Sequence, residues 1–129
     1  MLPGSFLIVF FLSILLHYAH GVECTKTKFY EVEPHFYPFT KKFKNIPEAV
    51  YFVFHGGFWI FIFLTFLLLM GGRWIYIPLG LYGLLFLSEI HHFIKAVRRQ
   101  KYYSGAITSA LFPILGVWYW IELIRMCWG

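Results

Sequence analysis

Apolar residues run along this chain in four long blocks separated by short polar joints. Residues 1–22 contain no Asp, Glu, Lys or Arg, and residues 49–72 form a second charge-free run that closes on Gly71-Gly72. From Trp74 to Ile94 the single charged residue is Glu89, and residues 102–121 carry no charge. None of the blocks alternates with the period of two expected of a barrel strand. Each reaches the roughly 20 residues a helix needs to cross a bilayer. The pattern predicts an all-α membrane protein, a single four-transmembrane-helix bundle with helices over about 4–22, 46–70, 75–98 and 104–125.

Local signals refine the boundaries. Asn45 with Glu48 three residues on reads as a helix N-cap with a capping box, and Pro47 suits a first turn. Gly71-Gly72 suits the stop of that helix. Pro113 is expected to bend the fourth helix. The segment 24–45 is the one long polar stretch. Pro34 and Pro38 argue against a regular helix there, and its aromatic and basic residues suit a segment lying along the membrane surface. Met1 to Ser5 carry no positive charge and no A-x-A-like site stands near "HYAHG", so the first run is expected to be a retained span rather than a cleaved leader.

Composition agrees with the spans. Sixty per cent of the 129 residues are hydrophobic and 13% are charged, against about 25% charged in a soluble domain. The net charge of +5 is unevenly placed. Lys26, Lys28, Lys41, Lys42 and Lys44 follow the first run, and Lys95, Arg98, Arg99 and Lys101 follow the third. Arg73 and Arg125 remain for the other side. The positive-inside rule then puts the two basic loops in the cytoplasm and both termini on the non-cytoplasmic side of a multi-pass protein, expected in a bacterial inner membrane. The positive charge is accounted for by topology and anionic lipid, with no nucleic-acid partner. Trp74, Tyr76, Trp118, Trp120 and Trp128 suit an outer aromatic belt, and Tyr102 and Tyr103 an inner one. Cys24 and Cys127 fall on opposite sides of the bilayer and are not expected to pair; no CxxC motif is present.

Ionisable groups within the spans are the candidates for chemistry, because they are costly there and usually face the bundle interior. His20 and Glu23 share one face of the first helix, with His17 one step deeper, and Glu89 and His92 share a face of the third. His55 lies about nine residues inside the second helix, a similar depth, beside Gly56 and Gly57, which would admit a close neighbour. Thr108 and Ser109 lie at the matching level of the fourth. His17, His20, Glu23, His55, Glu89 and His92 are therefore the expected ligands of a transition metal, Zn, Fe or Mn. Di-iron bundles use Glu-x-x-His in this way. A proton relay, or heme held by His55 and His92, uses the same groups. Glu89 could instead pair with Lys95 or Arg98. His91 is expected to pack, and Glu122 with Arg125 to form an exposed i, i+3 pair.

"HGVEC" at 20–24 resembles the signature of the HXXEE-motif family of small integral membrane proteins, which has no established activity. His20 and Glu23 match its first and fourth positions, and Cys24 stands where the family has a second Glu. "SEIHHFIKAVRRQKYYSGAITSALFPIL" is similar to the family's later block at His92, Tyr103, Gly105 and Thr108, with Ser104 where Pro is expected. The resemblance implies that these are functional positions and supplies no reaction. Two functions stay open. One is a membrane metalloprotein, as an enzyme acting through metal-bound water on a lipid-soluble substrate. The other is an accessory or structural subunit, or a homo-oligomer, whose polar groups hydrogen-bond between helices.

Overall fold

The computed structural model describes residues 2–33, 38, 41–43, 47–69 and 72–128, without the side chains of 43, 47–50, 52–56, 58 and 59. In chain order the helices are α1 (Gly4–Lys26), α2 (Phe29–Val32), α3 (Pro47–Leu68), α4 (Tyr76–Arg99), α5 (Ala106–Ser109) and α6 (Phe112–Trp128). Short 3-10 turns lie at Lys41–Phe43 and Arg73–Ile75. Among the described residues there is no strand. Two segments, Gly4–Lys26 and Arg73–Arg99, are helical, long and apolar enough to cross a membrane.

The helix ends have local causes. α1 passes the expected stop at residue 22 and ends where the Thr27 hydroxyl donates to the Glu23 carbonyl at 2.7 Å and Lys28 turns left-handed, at φ 53°. α4 closes with Gln100 left-handed, at φ 51°. There the amide of Gln100 bonds to the Val97 carbonyl, and that of Lys101 to the Ala96 carbonyl. This is a Schellman pattern without the usual glycine. The single fourth helix expected from the sequence is two pieces. Pro113 has no N–H for the carbonyl four residues back and its ring crowds that group. The chain breaks at Ala110–Leu111, and α6 restarts with Pro113 in its first turn.

α1 and α4 run in the same direction, with Phe10 and Ser13 beside Tyr82 and His20 beside Glu89. α6 runs against both: Phe6 of α1 meets Tyr119, and His17, about three turns later, meets Phe112. The core is aromatic, built on Phe6, Phe10, Tyr82, Phe86, Phe112 and Tyr119. Its polar tips are satisfied. The Tyr119 hydroxyl donates to the Leu79 carbonyl at 2.8 Å, and Trp120 Nε1 donates to the Gly83 carbonyl at 3.2 Å. α4 and α6 approach closely at two glycines. A Cβ on Gly83 would lie 2.7 Å from the Trp120 ring, and one on Gly116 would lie 3.1 Å from Phe86. Gly57 plays no such part, since a Cβ there would meet nothing.

The helices turn apolar side chains outward and bury several polar ones beside the aromatic core. α1 buries Ser13, His17 and His20 while exposing Ile8, Phe11, Leu15 and Tyr18. α4 buries Tyr82 and His92 while exposing Ile77, Leu81, Leu84 and Leu87. α6 buries Glu122 and exposes Ile114, Val117 and Ile124. Trp74 and Trp128 are strongly exposed at one end. Of the pair expected as an inner belt, Tyr102 is exposed but Tyr103 is buried.

Candidate metal centre

In the joint between α4 and α6, polar residues of both α1 and α4 meet one short strap, residues 102–108. His20 descends from α1 and Glu89 and His92 from α4. His20 Nε2 is 2.8 Å from Glu89 Oε2, and His92 Nε2 is 3.6 Å from the same oxygen. The two imidazoles stand edge to face, with centroids 4.7 Å apart. Cys24, one turn after His20, brings Sγ to 3.4 Å from His20 Nε2. One ligand atom from each of His20, Cys24 and His92 fits within a sphere where all lie within 4.8 Å of one another. His20 and His92 are nearly fully buried, at 4% and 3% of the side chain exposed, while Glu89 keeps 22% and forms the open edge.

The strap touches His20, Cys24 and His92. The Ser104 carbonyl lies 2.5 Å from His92 Nδ1. A carbonyl oxygen can only accept, so Nδ1 carries a proton, while Nε2 faces Glu89. Gly105 is left-handed, at φ +80°, and a Cβ on it would fall 2.6 Å from His20, 2.7 Å from Cys24 Sγ and 2.8 Å from His92 Nδ1. Glycine is required there twice over, by conformation and by space. Thr108 Oγ1 is 2.7 Å from His20 Nδ1. Beneath the cluster Phe29 packs on the His92 ring at 4.5 Å, and the Tyr51 hydroxyl, from α3, hydrogen-bonds Cys24.

The remaining expected ligands lie elsewhere. Glu23 does not face Glu89. Its carboxylate accepts from the Tyr102 hydroxyl at 2.6 Å, the Ile107 amide at 3.1 Å, and the Thr108 amide and hydroxyl at 2.9 and 2.6 Å. His17 sits one turn deeper, with Nδ1 2.8 Å from the Ser13 carbonyl and 3.2 Å from the Tyr82 hydroxyl. Phe112 wedges between His17 and His20, at 4.7 and 5.4 Å. His55 belongs to α3, but its side chain lies outside the described residues, as do Asn45 and His35. His91 stacks on His92 at 4.0 Å and bonds to the Ser88 carbonyl. Ser109 bonds locally, to the Ala106 carbonyl at 3.0 Å.

Two ion pairs differ from expectation. Lys95 pairs with Glu33 at 2.5 Å rather than with Glu89, and the Tyr103 hydroxyl donates to the same carboxylate at 2.6 Å. Burial works to raise the Glu33 pKa, but the bonds from Lys95 and Tyr103 outweigh it and hold the carboxyl below its ordinary 4.5. Burial first, and the bond to Glu33 second, push the Tyr103 hydroxyl up. The expected exposed pair of Glu122 and Arg125 is half wrong. The bond forms at 3.0 Å, but Glu122 is buried at 8% exposure, with Ser5 donating to it at 2.6 Å.

Sequence reasoning set Cys24 aside as a departure from a motif, although the i, i+4 spacing from His20 already placed both on one face. Gly105 was marked by the family resemblance alone, and the part supplied by Ser104 left no comparable signal, because it acts through its carbonyl. No family model matches the chain, and no curated protein or solved structure is significantly similar to it.

Proposed function

We propose that this chain is a four-span integral membrane protein that binds one transition metal ion, of the zinc class, between α1 and α4. The donors are His20 Nε2, His92 Nε2, Cys24 Sγ and Glu89. The observation that carries this is the convergence of these atoms from two helices, with the Nδ1 of each imidazole engaged by a separate partner. Two neutral imidazoles, a thiolate and a carboxylate form a four-donor set suited to tetrahedral zinc. Ligating histidines characteristically bond through their other ring nitrogen to a carbonyl or carboxylate system, as both do here.

Four spans are supported by the apolar outward faces of α1, α4 and α6 and by the bases gathered at the end that holds the site. That end is then cytoplasmic and both termini lie on the far side. The likeness of the sequence to the HXXEE-motif family belongs to the same proposal. Glu89, at the open edge, is the donor placed to exchange with water or with an oxygen of a lipid-soluble substrate, which is what separates a catalytic from a closed site. Zinc bound there would act as a Lewis acid.

Elemental analysis of the full chain purified in detergent, after zinc reconstitution and removal of excess, tests this. One zinc per chain is expected, with loss in His92→Ala. Cobalt substitution should give a thiolate charge-transfer band that disappears in Cys24→Ser. A folded wild-type chain that retains no metal would overturn the metal site and favour the accessory-subunit reading, in which the same atoms hold helices together.

A further inference from the structure

Glu33 lies in the polar segment after α1, with 5% of its side chain exposed. Its Oε2 accepts from Lys95 Nζ of α4 at 2.5 Å and from the Tyr103 hydroxyl of the strap at 2.6 Å. Lys95 also donates toward the Tyr103 oxygen at 3.4 Å. The hydrogens close without conflict: the ammonium only donates, the carboxylate only accepts, and the phenol does one of each. Lys95 and Arg99 both stand over the Tyr103 ring, each 5.2 Å from its centroid. One carboxylate therefore clasps three parts of the chain together: the segment after α1, the end of α4 and the strap. Charge-assisted bonds of this kind are the short, strong ones.

Two routes lead from this clasp to His92. Glu33 closes α2, its amide bonding to the Phe29 carbonyl at 3.0 Å, and Phe29 packs on the His92 ring at 4.5 Å. Tyr103 immediately precedes Ser104, whose carbonyl meets His92 Nδ1 at 2.5 Å. The clasp thus sets what lies on one face of the imidazole and what meets its Nδ1 edge. We infer that Glu33 is a positioning residue for His92, acting through Phe29 and Tyr103. Its purpose, aiming Nε2 at an ion, rests on the metal-binding reading; the positioning itself does not. Outer partners of a ligating histidine carry about 10–100-fold of metal affinity. Glu33 stands one step further out, so the lower figure is expected of it.

The test uses the full-length chain in detergent micelles. Tyr103→Phe removes the hydroxyl and keeps the ring, Glu33→Ala removes the clasp outright, and Gly83→Ala weakens the aromatic end without touching it. The Nδ1–H signal of His92, assigned by its loss in His92→Ala, is read by nitrogen-15 NMR of the histidine-labelled, metal-free protein. Zinc affinity is read by chelator competition. Tyr103→Phe and Glu33→Ala should each shift the His92 signal, speed its exchange with water and weaken zinc binding about 10-fold. Gly83→Ala should change none of these. An unmoved signal in Tyr103→Phe, or zinc affinity unchanged in both variants, overturns the inference. A signal that moves as far in Gly83→Ala also overturns it, because general loosening then explains the effect. If Glu33→Ala does not fold, Tyr103→Phe decides. If wild type binds no zinc the metal reading fails, and the His92 signal alone decides the positioning.

Discussion

Glu89 and Glu122 are both carboxylates on helices whose outward faces are apolar, at opposite ends of the same packing, and they are handled differently. Glu122 accepts from Ser5 and from Arg125, whose guanidinium is 72% exposed. Its charge is balanced by a permanent cation that reaches into water. Glu89 meets two imidazoles, which are cationic only when protonated, in a pocket with a thiol. The difference teaches that an ionisable residue in a helix does not by itself mark a site. What distinguishes Glu89 is that the partners it meets carry no permanent charge.

The two ends also differ in what glycine does, and this gives the largest expected effect. At the polar end, Gly105→Ala strains a left-handed residue and drives a methyl into three side chains held by hydrogen bonds. It should cost about 4 kcal/mol and abolish zinc binding, checked by denaturant unfolding in detergent and by metal content. At the aromatic end, Gly83→Ala meets Trp120, a partly buried ring at the edge of the core that can shift. The cost should be about 2 kcal/mol, with metal content unchanged. Equal losses of metal would show that the ends are coupled and would break the comparison.

The carboxylates should separate next. Glu122→Gln removes one charge-assisted bond and should cost about 1 kcal/mol with zinc binding intact. Glu89→Gln should lower zinc affinity sharply. If Glu122→Gln also lowers it, Glu122 is not the purely structural member. A gentler contrast comes from pH. The folded Glu33 carboxyl titrates below 4.5, so the unfolded chain takes up its proton first as pH falls. Its stabilising contribution is therefore complete above 4.5 and lost as pH drops through the lowered value. Glu33→Gln should flatten the acid limb of stability against pH, measured by thermal unfolding between about pH 5 and 3. The smallest effect is expected at the left-handed Gln100, where Gln100→Gly should stabilise by about 1 kcal/mol.

Much of this was legible in the sequence. The breaks in charge located the long helices, and Pro47 marked the start of α3. The i, i+3 spacings of His20 with Glu23 and of Glu89 with His92 put ionisable groups on α1 and α4 at one level, and Thr108 was named as their hydrogen-bonding neighbour. Spacing reports which residues share a face, but not which atom each side chain chooses. Glu23 shares a face with His20, yet four donors on the strap outcompete a shared ligand position. Glu122 looked solvent-exposed because Arg125 stood three residues away, and Ser5, which donates to it, is 117 positions distant. Pro113 announced a bend in the last helix, but not that the helix would part at Ala110–Leu111.

All four donors of the candidate centre are encoded by residue 92. The two oxygen atoms that meet the imidazole Nδ1 atoms, and the glycine that leaves room for both rings, come from residues 104 to 108. During synthesis the ligands therefore exist before the means of aiming them. A nascent chain ending at Gln100 carries every donor and none of the strap. The proposed centre would in this sense be a checkpoint on completion, assembled when the last hairpin of the chain has folded back onto the first helix.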